Sequence, residues 1–322
     1  MPFRKWVHAF CLGGMILAAQ PKLDQAGIDR WMQELSNWGR WGKTDQRGTV
    51  NLVTPARVRA AAALVKEGVS VSLSRDMDSV KSADNSQPFG HAMTATAVDP
   101  HPMFAMDTFT IGYHNQAVTH FDALSHMFYK GKVYNGYAAE EIGKQGARQL
   151  AVTAFKDGFI ARGVLMDIPR LKGVKYLELS TPVTPEDFDA WEKQAGIKVG
   201  PGDVVFVRTG RWARRAEKGA WDIGTAAAGM HPACARWFHQ RDVAVVGSDT
   251  HGECMPSLAS GVAFPLHQLL IVGMGTPMFD NCDLEALSQA AASRSRWTFL
   301  LTASPLAVPA GTGSPLNPIA TF

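Results

Sequence analysis

Cysteine is scarce in this chain. There are four among 322 residues, Cys11, Cys234, Cys254 and Cys282, and no two form a CxxC pair. That spacing excludes a thiolate zinc site and a disulfide framework. Long apolar runs are also missing: no stretch reaches the roughly 18 consecutive apolar residues of a membrane span. Excess charge is small, with 32 Lys plus Arg against 29 Asp plus Glu, a net +3. No Lys/Arg run interleaves with aromatics, so nucleic acid is not an expected partner. A Gly-x-Ser-x-Gly elbow is absent, which argues against a serine nucleophile. Neither an internal repeat nor a linker appears, so residues 23–322 are expected to form one domain.

What is present is an ordinary globular composition, 46% apolar and 19% charged. Ten histidines shift the expected metal chemistry from thiols to imidazoles and carboxylates. At the N-terminus, Arg4 and Lys5 precede a mostly apolar run over 6–19, as in a secretory signal. Against this, His8 and two glycines interrupt the run, and Leu17-Ala18-Ala19 is a poor cleavage site; Met15 is an alternative initiator. Residues 1–22 are therefore read as an extension or a signal segment. The expected location is cytoplasmic, or periplasmic or secreted if residues 1–19 are a signal.

Hydrophobic periodicity predicts a helix over 24–38, with Ile28, Trp31, Met32 and Leu35 on one face. Thr54-Pro55 and Thr184-Pro185 are helix starts. The first helix is expected over 56–67 and the second toward Gln194, before Gly196. Residues 69–74, 164–168, 204–207 and 243–246 read as strands, the second stopped by Pro169. Residues 266–272 and 284–292 read as helices, and 82–102 as a polar loop or flap before an extended 103–113. The Pro- and Gly-rich stretch 305–322 cannot be helical for long and is expected to wrap its own subunit or a neighbour. Interleaved strands and helices make the class mixed α/β.

The chemistry concentrates in 114–126, which holds His114, His120, Asp122 and His126. In an extended chain His120 and Asp122 share a face, so an imidazole and a carboxylate can meet one cation. A turn at Ala123-Leu124 would bring His126 to the same cavity. Thr119-His120-Phe121-Asp122 with His126 resembles the signature of the cyclase family of metal-dependent hydrolases, His-x-Gly-Thr-His-x-Asp-x-Pro-x-His. The likeness extends through 37–52, 133–137, 246–287 and 311–322. That family includes bacterial kynurenine formamidase and isatin hydrolase.

This chain departs from the signature in three places. Gln116 stands at the first His, Val118 at the Gly and Leu124 at the Pro. A Gln carbonyl is a weak zinc ligand and suits a harder ion better, so His114, two residues earlier, is preferred over Gln116. The resemblance implies His120 and Asp122 as ligands and His126 in acid–base chemistry. It also implies His267 and Asp280 as completing ligands, Asp280 standing where the family has Glu. The turn containing Asp249 and His251 is expected at the pocket, and Trp38, Trp41 and Phe128 are candidate pocket walls.

The implied fold is the swivelling β/β/α domain, mixed sheets with helices packed outside. The implied cofactor is a divalent ion, Mn2+ or Zn2+, one or two per subunit. The implied reaction is C–N hydrolysis of an amide, lactam or formamide by metal-activated water. Alternatives are a metal-dependent cyclisation or dehydration, or a non-catalytic ligand-binding role. The expected assembly is a homodimer or homotetramer acting on a small molecule.

Overall fold

Short polar caps set the helix starts. Asp24 Oδ1 accepts the Gly27 N–H at 2.8 Å and opens α1 (Gln25–Glu34). Ile28 and Met32 bury its apolar face. The helix stops short of Trp38 because Asn37 turns away: its N–H reaches Gly273 O at 3.1 Å and its amide reaches Met274 O at 2.9 Å. Pro55 opens α2 (Pro55–Ala62). This helix ends five residues before Glu67, since the Glu67 and Gly68 N–H groups both donate to Phe322 O, at 3.1 and 2.8 Å. In α3 (Pro185–Ala195) Asp187 reaches back to the Thr184 N–H at 3.0 Å, and Gly196 ends the helix at φ 65°.

The structure is a computed structural model describing residues 23–100 and 103–322. The N-terminal segment 1–22, with its signal-like pattern, lies outside the described residues. Among the described residues, no helix is long and apolar enough to cross a membrane.

Nine strands form the main sheet. In chain order they are β1 (Ser70–Ser72), β2 (His120–Asp122), β3 (Phe159–Asp167), β4 (Val204–Arg208) and β5 (Val245–Ser248), then β6 (Met278–Asp280), β7 (Thr298–Ala303), β8 (Gly313–Pro315) and β9 (Ile319–Thr321). Their spatial order is β8-β2-β6-β5-β4-β3-β7-β9-β1. The central run β6-β5-β4-β3 is parallel and the flanking pairs are antiparallel. Helices α4 (Arg211–Lys218), α5 (Cys234–Gln240) and α6 (Glu285–Arg294) follow β4, precede β5 and follow β6. This is the mixed α/β arrangement expected. Its core draws residues from Ile28 to Phe322, with the Phe121 ring packed edge-on or tilted against Phe155, Phe159 and Phe279 at 5.1–5.5 Å.

Several elements differ from the sequence reading. β3 begins five residues before Val164, because its edge residues Ile160 and Arg162 face outward and break the apolar run. Ile168 leaves the strand for a short turn capped by the Asp167 carboxylate on Arg170 N–H. The expected loop at 82–102 contains the strand Gly90–Ala95, paired with Met106–Thr110 in a hairpin. Both strands are largely exposed, so no one-sided alternation marks them. The C-terminal stretch wraps its own chain as β8 and β9, closing onto the site strand β2.

Candidate metal centre

β2 has core on one side and chemistry on the other. Phe121 points into the aromatic core, while His120 and Asp122 share the opposite face, as period-2 geometry requires. Register adds a third group: Asp280 on β6 stands directly across from His120. On the other side, Gly313 of β8 faces Asp122. A Cβ on Gly313 would sit 2.3 Å from Phe121 O and 2.9 Å from His114 Cε1. Glycine is therefore what leaves His114 room beside the carboxylate.

Asp122 is the hub. His114 Nδ1 lies 3.0 Å from its Oδ1, and His120 Nε2 3.5 Å. His126 Nε2 and His267 Nε2 lie 3.7 and 3.8 Å from Oδ2. His267 Nε2 is also 3.6 Å from Asp280 Oδ2. Among the described residues, two three-residue groups have donor atoms close enough to hold an ion, His114/Asp122/His126 and His120/Asp122/Asp280, and Asp122 belongs to both.

Two of these imidazoles have their other nitrogen fixed. His120 Nδ1 meets Val118 O at 2.8 Å, and His267 Nδ1 meets Glu253 Oε1 at 3.2 Å. Each partner is an acceptor, so Nδ1 donates to it and Nε2 is turned toward the carboxylates. Burial lowers the His267 imidazole pKa, but Asp280 and Glu253 outweigh it and hold it well above its ordinary value, so an ion at Nε2 would displace a proton there. Glu253 also accepts the His267 backbone N–H at 2.9 Å. Sequence reading passed over Glu253, although it sits two residues beyond His251 in a segment marked for the pocket. Its partner lies 14 positions away, and no spacing rule joins them.

The test of a cation here is what happens to the lone pairs. Asp122 is fully buried, yet among the described residues neither carboxylate oxygen has a hydrogen bond of good geometry; the same holds for Asp280 Oδ1. Burial penalises the Asp122 charge, but the imidazoles of His126, His120 and His114 hold its carboxyl well below the usual carboxylate range. The imidazoles stand 3.0–3.8 Å from this buried carboxylate without a hydrogen bond of good geometry, which leaves its lone pairs for a cation. The residues therefore fit a divalent ion. His126 moves the other way: burial, joined by repulsion from His114, His267 and His120, pushes its imidazole down to about 4 against the pull of Asp122.

These groups open onto a cavity of about 230 Å³. His251 lines it, along with Met127, Ile223, Phe264 and Asn281. Burial lowers the His251 imidazole pKa.

Four proposed pocket residues lie elsewhere. Trp38 donates its indole N–H to Val272 O at 2.7 Å and packs over Gly136, plugging the outer side of the 265–274 helical run. Trp41 lies beneath the Arg40 guanidinium at 4.7 Å. Phe128 is 45% exposed, and its neighbour Met127 faces the cavity instead. Asp249 is buried at the start of α4, accepting from the Thr209, Gly210 and Arg211 N–H groups at 2.7–3.1 Å. It acts from behind the site. The helix it caps carries Arg211, which donates to Asn281 Oδ1 at 2.6 Å and to Gln116 O at 2.5 Å.

Gln116 lines the cavity, but its amide is already engaged. Its Oε1 accepts the Ile223 N–H at 2.9 Å, and its Nε2 donates to Asp222 Oδ1 at 2.6 Å. Of the two candidates for the first ligand place, only His114 reaches Asp122.

A family model described as "Putative cyclase" matches residues 70–253. Among solved structures, a crystal structure of a novel cyclase is 32% identical with TM-score 0.81, over 90% of this chain and 99% of that one. An isatin hydrolase bound to the product analogue thioisatinate shares the fold at 20% identity and TM-score 0.55, over 80% and 93% of the two chains. Isatin hydrolase A from Ralstonia solanacearum does so at 21% and 0.59, over 83% and 97%. Among curated proteins, none matches this chain.

Proposed function

The chain belongs to the cyclase family, and from that premise we propose a metal-dependent hydrolase that cleaves the C–N bond of a small amide, lactam or formamide. The observation that carries this reading is the Asp122 carboxylate, buried and charged among four imidazoles, with no hydrogen bond of good geometry to its oxygens among the described residues. The donors are imidazole and carboxylate without thiolate, a set suited to Mn2+ or Zn2+. His120, Asp122, Asp280, His267 and His114 would hold one ion or two. Isatin hydrolases, which share the fold, act on a cyclic amide, in keeping with a lactam or related substrate.

When bound, the ion polarises the substrate carbonyl and acidifies a water. The chain's own groups do the rest. His126, neutral at its depressed pKa, takes the proton released as the C–O bond forms and delivers it to the departing nitrogen. His251, Met127, Ile223 and Phe264 wall the small cavity and keep bulk water from the reacting carbonyl.

Protein loaded with Mn2+ or Zn2+ is expected to turn over members of a cyclic- and formyl-amide panel, cyclic amides giving one product heavier by one water and formyl amides giving formate and the free amine. Products lighter by one water would instead mean dehydration or ring closure. Stoichiometric binding without turnover would mean a ligand-binding role.

We also propose a homodimer or homotetramer. The stretches 90–95 and 103–110 support this: Met93, Met103, Phe104, Met106 and Phe109 are all exposed, Phe104 by 63% and Phe109 by 61%. Phe104→Ser with Phe109→Ser is expected to shift sedimentation toward the monomer while leaving the circular-dichroism spectrum unchanged. An unchanged sedimentation coefficient would remove the hairpin from the interface.

A further inference from the structure

The segment 219–226 reaches the cavity through Ile223 and Gly224, which line it, and this roof is attached in an unusual way. Ile223 is fully buried, but it belongs to a small satellite cluster with Ala227, Met255 and Trp221, apart from the main core. Its peptide is held at both ends by side chains that line the cavity. Gln116 Oε1 accepts its N–H at 2.9 Å, and His251 Nε2 lies 3.2 Å from its carbonyl. His251 Nδ1 accepts the Glu253 N–H at 3.2 Å, so Nε2 carries the proton and donates. Gln116 also donates to Asp222 Oδ1 at 2.6 Å, and the same oxygen accepts the Gly224 N–H at 2.8 Å.

This clasp requires a side chain that accepts and donates at once from neighbouring atoms, which a primary amide does. An imidazole spending a nitrogen on an ion could not serve both Ile223 and Asp222. We propose that Gln116 is a positioning residue that clamps the 219–226 roof over the cavity, and so sets the substrate size admitted, rather than a metal ligand. The substrate-size part rests on the hydrolase reading above; the clamp does not.

The test uses the full chain and two readouts that need no turnover. In Gln116→Ala, amide hydrogen exchange across 223–226 is expected to rise at least ten-fold, the loss of a hydrogen bond to a charged partner. Mn2+ and Zn2+ stoichiometry and affinity, titrated with the metals alone, should stay within two-fold. On any amide the enzyme hydrolyses, KM should rise about ten-fold with kcat little changed, and bulkier amides should gain relative to small ones. Gln116→Glu sets a carboxylate against Asp222 and should open the roof. Gln116→Glu combined with Asp222→Asn should close it again, because the new carboxylate accepts from both the Ile223 N–H and the new amide.

Loss of metal in Gln116→Ala would overturn the proposal, as would unchanged exchange at 223–226 or no rescue in the double variant. If no amide is hydrolysed, the hydrolase reading fails while exchange and metal titration still decide the clamp.

Discussion

Asp122→Asn is expected to abolish high-affinity Mn2+ or Zn2+ binding and to lower kcat/KM on the order of 10³-fold or more, the several kcal/mol a catalytic ion supplies. The size of the effect follows from topology. Asp122 is common to both donor groups, and its two oxygens face different imidazoles, so one substitution weakens every arrangement the site can make. The amide is nearly isosteric, which keeps β2 in register between β6 and β8. Stability provides the control. In the metal-free protein near neutral pH the variant should melt somewhat lower than the parent, because the imidazoles that hold the Asp122 carboxyl below its usual range favour the ionised folded form, so circular dichroism at the assay temperature checks that the variant is folded. Metal at a hundredfold excess over Kd should stabilise the parent by about 2.7 kcal/mol and leave the variant unmoved. A variant that still binds metal tightly, or that loses activity only through unfolding, would take Asp122 out of the centre.

How much of this site is legible in the sequence depends on how far apart its parts lie. His120 and Asp122 are two apart, and strand periodicity alone places them on one face. Asp280 reaches them through the pairing of β6 with β2, across some 160 residues that no local pattern spans. Only the family resemblance pointed to it. Glu253 shows the remaining blind spot: an orienting carboxylate is defined by the nitrogen it faces, and that is a property of the fold. The tryptophans mislead for the opposite reason. Trp38 and Trp41 sit in a glycine-broken loop, where aromatics can line a pocket, but the Val272 carbonyl and the Arg40 guanidinium engage them outside it. In the fold, capped helix starts at Asp24, Thr54 and Thr184 are local chemistry and are readable. The hairpin at 90–110 is not, because strands exposed on both faces carry no one-sided apolar alternation.

His126→Ala is expected to lower kcat by about 10²- to 10⁴-fold, the range for a lost general acid–base, with metal content retained and KM little changed. Distance alone does not single out this role, since His126 stands as near Asp122 as His267 does. The difference lies in what holds the rings. His120 and His267 each have Nδ1 fixed by an acceptor, and His114 has a nitrogen 3.2 Å from Thr312 Oγ1. Among the described residues, no hydrogen bond fixes either ring nitrogen of His126. Its ring is positioned instead by stacking on His114, with centroids 4.1 Å apart and planes within 15°. A ligand is improved by a locked tautomer, whereas a proton carrier must accept and release at the same atom. His114→Ala should therefore lose metal affinity while His126→Ala keeps it. The His126 side chain is 27% exposed, so added imidazole should enter the gap and restore part of kcat. Metal loss in His126→Ala, with no recovery in imidazole, would assign His126 to the ion and leave the proton transfer to another group.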